Sequence, residues 1–170
     1  MGEHADRLKG LILAEDVDYR KTLFFATGGF LAIGFVAFLS LDLGYTLLIA
    51  SFGASTAILF GMPGSRASRP RNAFFGHVLS AVVAMVVYTF LGCTWFSIAL
   101  GVAAALTLMV VTDTMHPPGG ATVIVCITSA SPSWDFVVMP VAVGILVLIV
   151  VSEATQLVYK RYAGSKATAL

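Results

Sequence analysis

The sequence predicts an all-α polytopic membrane protein: six transmembrane segments in a 3+3 inverted repeat, with two broken helices meeting near the midplane. Three observations predict it. Hydrophobic residues make up 58% of the 170-residue chain and charged residues only 11%, less than half the ~25% usual in soluble domains. Mean hydropathy is +0.93. The third observation is a stretch from Met109 to Ile127, apolar at both ends, whose middle holds Asp113, His116, Pro117, Pro118, Gly119 and Gly120. Proline lacks a backbone donor and pushes the residue before it out of the α region. A helix should therefore stop before His116, and a new one should start near Gly119. Its first N–H groups then lack intrahelical partners and its dipole places positive potential at the break.

The chain divides into an N-terminal cytoplasmic or interfacial segment, 1–21, a transmembrane domain, 22–160, and a cytoplasmic tail, 161–170. Leu8, Leu11, Ile12 and Glu15 follow helical spacing, which suits a short interfacial helix. No apolar leader precedes the first span. That span, Thr22 to Ser40, has 19 residues, roughly 28 Å of helix against a hydrocarbon core of ~30 Å. Leu41 to Leu43 is a turn, and Gly44 to Gly61 is the second span. Met62 to Arg71 is a polar loop with Pro63, Gly64 and Pro70 as breakers. Asn72 to Leu91 is the third span. The fourth begins at the interfacial aromatic Trp95. Residues 119–130 are too short to cross alone. The turn 130–135 carries Trp134, and Phe136 to Tyr159 is the last span.

All ten Lys and Arg lie in the first 21 residues, the 66–71 loop and the tail from Lys160. The positive-inside rule then puts both termini and the 62–71 loop in the cytoplasm. Two crossings precede that loop, so an even number must follow it. The broken segment supplies the fourth crossing of that count. Four crossings with a differently folded middle is the alternative.

Residues 52–60, FGASTAILF, align with 118–126, PGGATVIVC, at a shift of 66. Gly53 meets Gly119, Thr56 meets Thr122 and Ile58 meets Ile124. The same shift carries the third span onto the last, and the first roughly onto the fourth. Two units of three crossings each must be mutually inverted, a pattern found in secondary transporters. Both half-helices would then aim free first-turn N–H groups at one point, which favours an anion.

The segments SFGAS (51–55), RPRN (69–72) with Gly76-His77 and Ser80-Ala81 beyond it, and HPPGGAT (116–122) resemble the HPP family of integral membrane proteins. The likeness runs from the first span to the last. It implies a bacterial inner-membrane or plastid-envelope protein, and plant and cyanobacterial members are linked to nitrite transport. The family is usually described with four or more spans, so the count of six rests on the charges and the repeat alone.

The expected substrate site comprises Gly53, Ala54, Ser55, Thr56, His116, Gly119, Gly120, Ala121 and Thr122. Asp113, His116 and His77 are candidates for proton coupling, because ionisable groups inside membrane segments are functional by default. The bland readings are a histidine tying down broken backbone, an Asp113 near the surface, and hydroxyls bonded back to their own helix. Asn72, Gly76, Ser80 and Ala84 recur every four residues and read as a close-packing face. Arg69 and Arg71 mark topology or funnel anions. Glu153 reads as an interfacial acid, and Cys93 and Cys126 as packing residues without metal or disulfide spacing.

Three function classes follow: a transporter for a small inorganic anion, nitrite first; a channel-like pore for nitrite or nitrous acid; and a membrane-embedded sensor or scaffold without flux. No catalytic motif, cofactor or metal is expected, so the chain reads as no enzyme. Its partners are the lipid bilayer and a second copy of itself in a homo-oligomer; no basic stripe suits nucleic acid.

Overall fold

A computed structural model describes residues 17–129 and 132–167. The expected interfacial helix around Leu8 to Glu15 and the first two residues of the 130–135 turn lie outside the described residues. Every regular element among the described residues is helical.

Helix α1 spans Tyr19–Leu41, opened by Asp18, whose carboxylate accepts the Lys21 N–H at 3.0 Å, a standard N-cap. The chain then turns at Gly44, which holds a φ of +76°. Residues 42–50 form no helix. The Ser40 hydroxyl accepts the amides of Leu47 and Leu48 at 3.2 and 2.8 Å, which diverts two donors from any helical ladder. This corrects the second expected span, Gly44 to Gly61. Only its latter part, α2 (Ser51–Gly61), is helical.

Helix α3 is Pro70–Leu91, with proline in its first turn, where no amide is needed. Helix α4, Trp95–Val111, starts on a capping box between Thr94 and Ser97. Residues 112–117 are non-helical, and α5 is Pro118–Thr128. A π-type turn at Val137–Ala142 leads into α6, Val143–Ala167. The tail expected from 161 is thus helical as far as Ala167.

Among the described residues, three segments are long and apolar enough to cross a membrane: α1, α3 and Val137–Ala163, with 23, 22 and 27 residues. Helices α2, α4 and α5, with 11, 17 and 11 residues, are shorter. Length alone therefore supports three crossings, fewer than the six expected. At 1.5 Å per residue, α2 and α5 each reach roughly 16 Å, about half the hydrocarbon core. Phe30, Phe90, Trp95 and Val111 are each more than 70% exposed, the pattern of an outer surface solvated by lipid rather than water.

The packing is reciprocal. Helix α1 packs on α2 and α6, and α4 packs on α5 and α3. Helix α2 packs on α6 as α5 packs on α3, while α2–α5 and α3–α6 complete the set. Exchanging α1 with α4, α2 with α5 and α3 with α6 leaves these neighbours unchanged. The two hydrophobic cores exchange with them. One is built mainly from α1, α2 and α6 around Val36, Phe52, Leu59 and Leu148. The other is built from α3, α4 and α5 around Met85, Ala105, Val123 and Ile127.

Chain direction follows from paired positions. Phe25 meets Tyr159 and Gly28 meets Thr155, so α1 and α6 are antiparallel. Phe52 meets Gly144 and the Ser152 hydroxyl donates to the Leu59 carbonyl, so α2 and α6 run together. Two glycines hold the two non-helical segments. A Cβ on Gly144 would stand 3.1 Å from the Leu47 carbonyl, and one on Gly76 would stand 3.2 Å from the Thr114 carbonyl.

Candidate functional site

The first residue of α2 touches α5 directly. Ser51 Oγ and Thr122 Oγ1 are 2.9 Å apart. From this junction a chain of side-chain hydrogen bonds crosses the middle of the bundle. Thr122 Oγ1 lies 2.7 Å from His77 Nδ1. His77 Nε2 lies 2.6 Å from Ser55 Oγ, and Ser55 Oγ lies 3.0 Å from His116 Nε2. His116 Nδ1 donates to the Ala67 carbonyl at 2.7 Å. None of Ser51, Ser55, His77, His116 and Thr122 is more than 1% exposed. The Phe52 ring meets the His77 imidazole nearly edge-on, with centroids 5.5 Å apart.

Each element supplies its members by ordinary periodicity. Ser51 and Ser55 are one turn apart on α2 and share a face. His77 lies two turns into α3. His116 hangs from the non-helical 112–117 segment, and Thr122 lies one turn inside α5. The Asn72, Gly76, Ser80 and Ala84 stripe is the close-packing face the spacing suggested. Asn72 donates to the Met115 carbonyl, and Gly76 and Ser80 abut His116 and Gly119. A Cβ on Gly119 would lie 2.6 Å from the Gly76 carbonyl oxygen. Glycine is therefore required there by the approach of two backbones.

The expectation of free first-turn amides is not met. The N–H groups of Phe52 and Gly53 donate to Ile49 and Ala50, and those of Gly119 and Gly120 donate to His116 and Pro117. Tight i→i−3 bonds of this kind satisfy orphan donors at helix ends. The polar centre is accordingly made of side chains. Of the expected site residues, Ser55, His116 and Thr122 meet there, and His77 joins them. Gly53 and Ala54 lie exposed on the outer face of α2. Thr56 bonds back to the Phe52 carbonyl at 2.9 Å and lines a groove of about 770 Å³ between α1 and α2. Gly120 is buried, where an added Cβ would lie 3.9 Å from Val102 Cγ1, and Ala121 is half-buried. Sequence reasoning passed over Ser51 and Ser80. The i, i+4 pairing of Ser51 with Ser55 was the available signal for the first.

Residues 14–163 match the family description "HPP, transmembrane region". The chain belongs to the HPP family. It is 37% identical over 131 residues to one transmembrane protein of Dictyostelium discoideum, covering 73% of this chain and 45% of the relative. It is 38% identical over 109 residues to a second from the same organism, covering 60% and 35%. The chain thus spans less than half the length of either relative. No solved structure matches it.

In this HPP protein the motif's own residues divide the work. His116 reaches inward to Ser55, Pro117 and Pro118 set the break and the first turn of α5, and Gly119 seats that turn on α3. Asp113 does not join the centre. It lies at the outer end of the break with φ +53°, paired with Arg66, both side chains well exposed. Arg71 donates to the Thr112 carbonyl at 3.1 Å. An exposed ion pair contributes ~0–1 kcal/mol, and a left-handed φ disfavours any side chain. Asp113→Gly should therefore change thermal stability by less than about 1 kcal/mol in a melting assay, the lost pair and the relieved backbone offsetting each other. Glu153 is exposed, Cys126 is buried in the second core and Cys93 is exposed. No group of three or more metal-ligating side chains occurs among the described residues.

Among the described residues, one buried side-chain polar atom stands without a partner. Ser80 Oγ, fully buried beside Gly119, has no hydrogen bond. It is unused hydrogen-bonding capacity next to a fully bonded network.

Proposed function

We propose that this HPP protein carries a small inorganic anion across the membrane, nitrite first among candidates, through the junction of α2 and α5. The observation that carries the reading is the meeting of two half-length helices at a buried polar centre inside an otherwise apolar bundle. The reciprocal packing supports a two-fold relation between the units 17–91 and 94–163, inverted across the membrane. The directions of α1, α2 and α6 agree with it. In that frame both half-helix dipoles turn positive ends toward the centre, each equivalent to about half a charge. They offset part of an anion's desolvation without a buried Lys or Arg. Non-helical backbone at membrane depth is tolerated where protein or a cavity covers it, as the 42–50 and 112–117 segments require.

The amides being occupied, Ser80 Oγ is the unspent donor beside the centre, and the hydroxyls of Ser51, Ser55 and Thr122 and the histidine N–H groups would exchange their present partners for nitrite oxygens. Complete burial of the centre favours a carrier caught closed over an open pore. Nitrite is favoured by the family's link to nitrite transport. The positive loop and both ends of the chain would face the cytoplasm. Both curated relatives come from Dictyostelium discoideum, so membership alone does not point to a bacterial inner membrane. Exposed Gly53, Ala54 and Ala57 on one half-helix suit a contact between copies, in keeping with a homo-oligomer.

Purified protein in liposomes should take up labelled nitrite with saturation and show counter-flow when preloaded, after subtraction of flux in protein-free liposomes. Uptake linear in concentration and without counter-flow would sink the carrier reading.

A further inference from the structure

We infer that Ser51, Thr122, His77, Ser55 and His116 form a proton relay of one fixed polarity, closed at the Ala67 end by a backbone carbonyl. The polarity follows from donor and acceptor chemistry and is independent of which ion crosses. A carbonyl oxygen only accepts, so His116 Nδ1 must carry a proton to bond Ala67 at 2.7 Å. With His116 neutral, its Nε2 is an acceptor, and Ser55 must donate to it. Ser55 Oγ then accepts from His77, so His77 carries its proton on Nε2. His77 Nδ1 is left as an acceptor and takes the Thr122 hydroxyl proton. The 2.9 Å contact with Ser51 is angled for Thr122 as the donor, but with its one proton committed to His77, Thr122 must accept there from Ser51. Every donor points from Ser51 toward Ala67.

The competing arrangement lets Ser55 donate to the Ser51 carbonyl, 3.2 Å away. Both histidine Nε2 atoms would then need protons, which makes His116 an imidazolium. A buried cation needs a counter-charge. None faces it. Helix α2 brings only Ser51, Phe52 and Ser55, α3 brings His77 and Ser80, and α5 brings Thr122. The charges at the break lie at its exposed end, where Asp113 and Arg66 pair with each other and Arg71 binds the Thr112 carbonyl.

Relay then balances bond by bond. A proton added to Ser51 Oγ displaces that residue's own proton to Thr122 Oγ1, and the Thr122 proton moves to His77 Nδ1. The His77 Nε2 proton moves to Ser55 Oγ, and the Ser55 proton moves to His116 Nε2. The His116 Nδ1 proton leaves. One proton enters, one exits, both histidines exchange tautomer and no charge remains behind. The Ala67 carbonyl cannot take the last proton, so release requires the 62–69 loop to part from His116. The relay is thereby gated at the end where Arg66 and Asp113 join that loop to the break.

Nitrogen-15 magic-angle NMR of the full chain, labelled at histidine and reconstituted in bilayers at neutral pH, tests the polarity without reference to any substrate. Single-histidine variants assign the signals. The expected spectrum has His116 protonated on Nδ1 alone and His77 on Nε2 alone. The same tautomer at both, or an imidazolium at either, overturns the relay. Proteoliposomes holding a pH-sensitive dye test the function under an imposed pH gradient with nitrite outside. Thr122→Val should cut proton movement at least tenfold and Thr122→Ser should restore it. Undiminished proton movement by folded Thr122→Val protein, or none by the wild type, overturns it as well. Saturable nitrite uptake without proton movement would overturn the relay and leave the carrier standing.

Discussion

Gly119→Ala should destabilise the protein severely, while Gly120→Ala, one residue on, should not. A methyl group at 119 would stand 2.6 Å from the Gly76 carbonyl oxygen and 2.7 Å from Ser80 Oγ. The first of these is backbone on α3, which cannot swing aside. Overpacking of this kind costs ~1–3 kcal/mol and sometimes more, and here it also wedges α5 away from the relay. At 120 the nearest atom would be Val102 Cγ1 at 3.9 Å, an ordinary contact. Gly53 has nothing within 4 Å. In a helix interior alanine is preferred to glycine by up to ~1 kcal/mol, so Gly120→Ala and Gly53→Ala should be neutral or stabilising. Thermal unfolding in detergent, followed by circular dichroism, reads all three. Equal melting temperatures for Gly119→Ala and Gly120→Ala would contradict the close approach of α3 and α5.

Ser55→Ala should abolish transport and lower stability, whereas Ser80→Ala should leave stability unchanged or raise it. Both serines are fully buried. Ser55 Oγ joins His77 to His116, and its loss strands one donor and one acceptor in an apolar surround. Each stranded group costs ~1–3 kcal/mol. A melting temperature lower by several degrees follows, at ~2–4 °C per kcal/mol for a chain of this size. Ser80 Oγ bonds to nothing, so alanine there removes an unsatisfied hydroxyl and costs no hydrogen bond. Nitrite uptake into proteoliposomes, normalised to folded protein, should fall at least tenfold for Ser55→Ala. Retained uptake at full stability would place the path elsewhere.

Composition alone put the chain in a membrane, because no soluble core needs so few charges. Local chemistry placed most boundaries. Pro70, the Thr94–Ser97 capping box, Gly92 and the Pro117-Pro118 pair act within a few residues, so α3, α5 and the start of α4 were legible within a residue or two. The spacing of the elements is close to the shift read between residues 52–60 and 118–126. Helix α5 begins 67 residues after α2, and the Val137 turn begins 67 residues after α3, against an offset of 66 read from the sequence. The half-helix expected from Phe52 begins at Ser51, but the loss of helix over 44–50 was not legible. It depends on Ser40 reaching Leu47 and Leu48, and a serine near a helix end announces no such partner.

The sequence by itself determined the membrane setting, the break at His116, the start of α5 and the identity of four residues at the centre, Ser55, His77, His116 and Thr122. Tertiary structure alone decided what those residues do. Periodicity states which side chains share a face of one helix; it says nothing about which faces meet. That His77 on α3 lies between Thr122 and Ser55, 45 residues after it and 22 before it, follows from the packing of α2, α3 and α5 around Gly76 and Gly119. The use of the first-turn amides was likewise decided there, since a helix end turns its donors on its own carbonyls or on a ligand according to the path of the chain leading into it.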